Sequence, residues 1–418
     1  MIIYQNLKMH TQTLIATQRK RAIMKLLHNR RECAKEKAHS MLHTGFFILI
    51  CFFSMLLISG CASDTHIRQP IPLTNFTPRI TVKPVWSVSI GASENFPLEP
   101  SSTGNHVIAT SANGQLTQVD AATGRIQWKI KVDEGFSSGP GTNGSIIAVA
   151  TTKGQILTFD NNGKALWQQN IVGEALATPL VTEKLVLVRT LDNRIYAFDV
   201  NSGKQRWLYQ RAPSPLVLRA PLGMIASENT VIAGFPGGKL GLISLENGAI
   251  LWEGSLALAK GVSEIERLVD ITGRPAVRDR YLCATAFQGR IGCFDLENGK
   301  LIWSTEFSGT TGVAMDQQAV YAIDSKSIVN GFNTQTGKAL WSNQQLQWRD
   351  LGIPKLIGSA LVFGDMKGEL YFVSIVDGSL LANLKTDGSS IAAAPIVVGD
   401  NLIVQTKDGH LYAFSQPQ

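Results

Sequence analysis

Net charge is the first thing that the body of this chain lacks. The 418 residues carry a formal charge of +7, but residues 1–60 hold nine Lys and Arg against two Asp and Glu, which leaves 30 of each sign in the rest. A formally neutral body has no basic face with which to displace counterions from a phosphate backbone, so nucleic acid is not expected as a partner. Motifs that carry chemistry are as scarce. There is no phosphate loop and no C-x-x-C pair. His106 and His410 lie in or beside predicted strands and turns, without neighbours at metal-ligand spacing. Amphipathic helical stretches are missing beyond residue 80, and 38 glycines with modest charge favour an all-β protein. No catalytic residue, metal or cofactor is expected.

What is present begins with a leader. Residues 1–44 are polar and basic, and Gly45 to Gly60 is strongly apolar but too short for a comfortable membrane span. The run ends in Ile58-Ser59-Gly60-Cys61, which resembles the lipobox of bacterial lipoproteins. Small residues there let a peptidase reach the backbone, and the Cys61 thiol would carry the lipid. Several acyl chains (palmitate among them), at about 0.8 kcal/mol per buried CH₂, anchor a protein almost permanently. Ala62 rather than Asp follows the cysteine, which by analogy with known sorting rules points to the outer membrane. An ordinary signal peptide is the alternative, and translation starting at Met24 or Met41 stays open. The chain therefore divides into a leader (1–60), a lipidated cysteine with a flexible Pro/Thr-rich linker (61–81) and a folded body (82–418).

Cys33 and Cys51 would leave with the leader, so Cys283 and Cys293 remain in a compartment that permits disulfides. They flank a predicted hairpin that turns near Gln288-Gly289. A two-residue turn there sets Cys283 opposite Phe294 and points Cys293 to the other face. Two free buried thiols are the expectation; a disulfide needs a bulge or a longer loop.

The body repeats at about 40 residues, the mark of a repeat architecture. Its unit is clearest in Thr190 to Trp207, TLDNRIYAFDVNSGKQRW, a short strand, a Gly-bearing turn and a second strand. The hairpin recurs at Trp128, Trp167, Trp252, Trp303 and Trp341, with a degenerate copy ending at Ala382 and a final copy, LYAFSQPQ, that stops before its last strand. Asp120, Asp160, Asp199 and Asp295 begin the turns, with Asn333, Ser244 and Ser374 in the other copies. Such a side chain accepts hydrogen bonds from the loop's own N–H groups. That makes these aspartates turn formers rather than an acid/base set. A proline 20 residues before the turn in six copies opens each four-strand unit. Val82 to Gly91 is a Trp strand with no hairpin before it, and Trp86 takes the position that the last copy lacks. The reading is an eight-bladed β-propeller of four-stranded antiparallel blades, the eighth closed by the N-terminal strand.

Two connections break the period. RAPSPLVLRAP lies between Trp207 and Pro221, and the insertion GVSEIERLVDITGRP precedes Pro275. Both join the last strand of one blade to the first of the next, so both should emerge on one rim. Leu216, Leu218 and Arg219 from the first, with Arg267, Leu268 and Asp270 from the second, make an apolar, basic and acidic set typical of a partner surface. The alternative is that the leucines pack down onto the sheets and Arg219 pairs locally with an acid.

The A-x-D-x-x-[ST]-G-K-x-x-W repeat resembles that of pyrroloquinoline quinone (PQQ) dehydrogenases. Those enzymes add a calcium site, a catalytic aspartate and usually adjacent cysteines, and this chain has no adjacent pair. A quinoprotein dehydrogenase remains the alternative function, and a propeller lipoprotein with another partner is a third. The lipobox, the eight repeats, the L-x-L-R segment and the later S-E-I-E-R-L-x-D loop together are similar to the outer-membrane protein assembly factor BamB family. The resemblance implies a non-catalytic scaffold at the periplasmic face of the outer membrane. It would bind BamA and other components of the β-barrel assembly (BAM) complex, with unfolded outer-membrane proteins as further clients. By the resemblance, Leu216, Leu218, Arg219 and Asp270 contact BamA. A second acid that the family often carries is Thr272 here.

Overall fold

Each copy of the repeat folds into one four-stranded antiparallel sheet. The computed structural model describes residues 69–212 and 214–417, and the leader with Cys61 lies outside them. Eight sheets follow in chain order as blades I (101–131), II (141–170), III (180–209), IV (224–255), V (276–307), VI (313–343), VII (355–385) and VIII (396–415). First strands of neighbouring blades touch one another from blade I through blade IV and from blade V through blade VII, and blade VIII's first strand touches that of blade I, so the two ends of the repeat meet. Pro84–Ser89 is the outer strand of blade VIII, with Pro84 opposite Phe414 and Trp86 opposite Ala413. The eight-bladed, N-terminally closed propeller expected from the repeat is the fold.

The repeat residues work as a set. In blade III the Asp199 carboxylate accepts from the Ser202 N–H at 3.0 Å and the Ser202 hydroxyl at 2.9 Å. These bonds hold its carboxyl below the usual range. A register shift between Ala197 and Phe198 then delivers Trp207 to the side of the sheet. Its indole N–H donates across the blade gap to the Leu245 carbonyl at 2.9 Å. Trp86, Trp128, Trp167, Trp303 and Trp341 make the same bond to the next blade's turn, to Ala121, Asn161, Val200, Thr334 and Ile375. Trp252 departs from it by donating to Gly299. The turn glycine is required twice over. Gly248 has φ +74°, and a Cβ there would stand 2.7 Å from the Trp207 ring.

Blade VII has Ala382 at the indole position, and the chain's own N-terminal segment covers the gap. Ile80 and Val82 pack against the cluster of Ala382, Phe372 and Phe414, while Leu73 and Phe76 pack where blades VI and VII meet. The backbone is tied at both ends of this strap, by Ile71 N–H to the Gln347 carbonyl at 3.2 Å and Arg79 N–H to the Leu381 carbonyl at 2.8 Å. Buried Arg349 donates to the Ile71 carbonyl at 2.7 Å and to the Tyr371 hydroxyl at 2.9 Å. Within the stretch read as a linker, residues 71–81 are thus held against the ring. Phe76→Ala is expected to cost about 2 kcal/mol of stability and to speed proteolysis between residues 70 and 80, measured by denaturant unfolding and limited digestion.

The cysteine expectation is corrected. Thr285 pairs with Ile291 and the Ala286 N–H bonds the Arg290 carbonyl, so the hairpin ends in a longer loop rather than a two-residue turn. The register moves by one residue, Cys283 faces Cys293 across the strands, and the two form a buried disulfide.

Candidate interaction rim

In each blade the outer strand runs to the same end of the disc as the turn between the second and third strands, so all inter-blade connections share that face. Three successive connections are linked there. Glu174, between blades II and III, takes an ion pair from Arg219, between blades III and IV, at 2.5 Å. One residue earlier, the Leu218 N–H donates at 2.9 Å to the carboxylate of Asp270, which lies between blades IV and V. The Gly223 N–H then bonds the Thr272 carbonyl at 3.0 Å. The two aperiodic loops therefore stand side by side on one rim, as their positions in the repeat required.

Their side chains divide into support and surface. Asp270 is only 4% exposed and Leu218 9%; Leu216 and Arg219 are half-buried and Arg267 is exposed. Asp270 also pairs in backbone register with Pro236, and its main-chain carbonyl accepts from the Phe287 N–H at 2.9 Å. Burial pushes its carboxyl up, while the N–H groups of Leu218 and Gly237 and the charge of Arg189 pull it partly back. Thr272, where the family often has an acid, is buried and its hydroxyl bonds the Thr310 carbonyl at 3.3 Å. Of the six rim residues singled out in the sequence, Leu218 and Asp270 form the joint, Leu268 is buried beside it, Arg219 caps it through Glu174, and Leu216 and Arg267 face outward to differing degrees. Arg219 does pair with a local acid and Leu218 does pack down.

The outermost surface comes from residues that the sequence reading did not name. Ser263 and Glu266 build a capping box. Glu266 accepts from the N–H groups of Val262 and Ser263 at 2.8 and 3.1 Å, and the Ser263 hydroxyl accepts from the Glu266 N–H at 3.2 Å. That single turn holds Val262 out at 96% exposure and Ile265 at 53%, with Leu258 at 68%. Arg267 pairs with Glu264 along the same turn. The signal was available: S-x-x-E with apolar residues at Val262 and Ile265 in an inserted loop. A projecting apolar cluster rimmed by charges marks an interaction site.

Among the described residues the axis offers no comparable constellation. At its mouth on this face Arg274 of blade V reaches Glu99 of blade I, four blades away, through a bidentate pair at 2.9 and 3.3 Å. Among the described residues no group of three His, Cys, Asp or Glu side chains is placed to hold a metal ion. Gly135-Phe136-Ser137-Ser138-Gly139 has the G-x-S-x-G spacing of hydrolase elbows. Ser137 there is fully buried and its hydroxyl is spent on the Ala175 and Thr151 carbonyls at 2.7 and 3.1 Å.

Fold and rim together define an eight-bladed propeller whose distinctive feature is a loop-built contact surface. The family model described as outer membrane protein assembly factor BamB matches residues 81–140, 112–343 and 325–418. The outer membrane protein assembly factor BamB of Burkholderia pseudomallei is 41% identical over 366 residues, covering 87% of this chain and 96% of that protein. The crystal structure of BamB from Moraxella catarrhalis superposes with a TM-score of 0.75 at 26% identity, covering 80% of this chain and all of that one. The quinohemoprotein alcohol dehydrogenase of Comamonas testosteroni, at 13% identity and a TM-score of 0.65 over 80% of this chain and 76% of its own, shares the fold alone. The chain belongs to the outer membrane protein assembly factor BamB family.

Proposed function

We propose that this protein is an assembly factor for outer-membrane proteins, acting as a component of the BAM complex without catalysing a reaction. Family membership over nearly the whole body carries the assembly role. The non-catalytic reading rests on the rim. Its ordered, apolar-topped loops are suited to docking, and its titratable groups are committed to holding those loops together. The partner is the periplasmic part of BamA, contacted through Leu216, Arg219 and Arg267 with Val262 and Ile265 beside them. Leu218 and Asp270 set the shape that is recognised. A lipid on Cys61 would tether the propeller to the inner leaflet of the outer membrane, two acyl chains sufficing for stable anchorage.

Arg219 is the sharpest point of test. Its guanidinium is half-exposed beside Glu174, so Arg219→Ala removes a contact without opening the core. Association with BamA is expected to weaken by about 2 kcal/mol, read as loss of BamA from an affinity purification of detergent-solubilised envelope. Full retention, with an unchanged circular dichroism spectrum, would take Arg219 out of the interface.

A further inference from the structure

Behind the rim, a cluster of charged side chains where blades III and IV meet holds more positive charge than it neutralises. Arg189 ends an otherwise apolar strand, Leu185–Arg189, and is 1% exposed. One amino group donates to the Asn193 side-chain carbonyl at 3.3 Å and to the Gly234 main chain, but Nε and the other amino group have no hydrogen-bond partner among the described residues. The Arg189 guanidinium lies 4.8 Å from the centre of the Phe235 ring, and that of Arg211 lies 4.6 Å from the same ring. Burial and the neighbouring Arg211 charge pull Arg189 down to about 9. Arg211 shares Glu253 with Lys239, at 2.5 and 3.6 Å. Asp270, the other acid nearby, makes no ion pair within 4 Å of either arginine among the described residues. Three cations thus face two acids. Asn193, Arg211, Ala212, Ser214, Pro236 and Gly237 line a cleft of about 200 Å³ at this place.

We infer that this cleft is a carboxylate-binding pocket that accepts an acidic side chain of a docked protein. Its volume suits one side chain. Arg211 presents a planar fork, the Asn193 amide group supplies a neutral donor, and Arg189, bonded to the Asn193 side-chain carbonyl at 3.3 Å, adds a second charge beyond the lining. A carboxylate entering there gains charge-assisted hydrogen bonds, and it places a negative charge beside a buried guanidinium that is costly to leave under-paired. The pocket adjoins the Leu216–Arg219 segment, since the Ser214 hydroxyl donates to the Leu216 carbonyl at 3.1 Å, but it uses other side chains, and it stands whether or not BamA is the protein that uses it.

The test is fluorescence anisotropy of a labelled hexaglutamate peptide against the full chain in detergent, with hexaglutamine as control. Hexaglutamate is expected to bind and hexaglutamine not. Arg211→Gln should weaken binding at least tenfold, and Arg189→Met should do so with the fold checked by circular dichroism. Arg206→Gln, which alters an exposed arginine of blade III paired with Asp199 at the turn end of the hairpin, should leave binding unchanged. Equal loss in Arg206→Gln and Arg211→Gln, or no binding of hexaglutamate, would overturn the pocket. Displacement of the peptide by inorganic phosphate but not by succinate would overturn the carboxylate assignment in favour of a phosphoryl ligand. Because no BamA is present, failure here is separate from failure of the docking reading, which the Arg219 purification decides.

Discussion

Trp207→Ala is expected to destabilise the propeller by about 3–5 kcal/mol, a loss that can undo much of a domain's marginal stability. Trp207 is among the most deeply set of the ring of tryptophans: it is buried in the cluster with Val231, Ala233 and Phe235, and it is bonded to Leu245. Removing it opens a cavity between blades III and IV and leaves the Leu245 carbonyl without its donor. It also loosens the floor of the rim, since Phe235 lies in the same cluster. Gly248→Val should do comparable damage from the other side, combining a strained positive φ with a clash against the indole. Trp86→Ala, in a half-exposed outer strand, should cost less. Urea midpoints followed by far-ultraviolet circular dichroism would rank the three; equal and small shifts would show that the ring does not depend on these stacks.

The ring could be read from the sequence because its determinants are local and recur. Asp199, Gly203 and Trp207 act within one hairpin and the turn of the next blade, so their spacing alone carries the geometry, and Trp86 announces the closing strand by filling the missing place. What escaped depended on contacts distant along the chain. The strap from Ile71 to Val82 has the Pro/Thr composition of a linker, and only the position of Ala382 in space shows why Ile80 and Val82 are needed there. The Cys283–Cys293 bridge turned on whether a loop had two residues or more, and one residue reverses every side chain of a strand. The rim loops were found by their broken period. Which of their residues point outward was not legible, because an acidic residue in an inserted loop reads as surface until its burial is known. Arg189 carried a faint signal, a charge closing the run LVLVR, which only the position of Phe235 turns into a site.

Asp270 is where that difference matters most. If it contacted the partner through its charge, Asp270→Ala and Asp270→Asn would be equivalent. Buried and bonded to the Leu218 N–H, it instead acts as the clasp between two loops, and the substitutions should part. Asp270→Ala leaves the buried Leu218 N–H without its acceptor and opens the joint between the two loops, which is expected to cost about 3 kcal/mol and to abolish association. Asp270→Asn keeps an acceptor for the same N–H, so stability at neutral pH should fall by only about 1 kcal/mol and association should persist. The pH response separates them further. The folded carboxyl sits above its ordinary value, so the folded state holds this proton more tightly than the unfolded chain. Its contribution is fully present below the unfolded value of about 4 and is lost as pH rises through the folded one. Asp270→Asn has no such proton to gain, so the stability advantage of the wild type over Asp270→Asn should widen as the pH is lowered toward about 4. If Asp270→Asn folds with the wild-type spectrum yet loses association as completely as Asp270→Ala, the carboxylate meets the partner directly and the clasp is not its role.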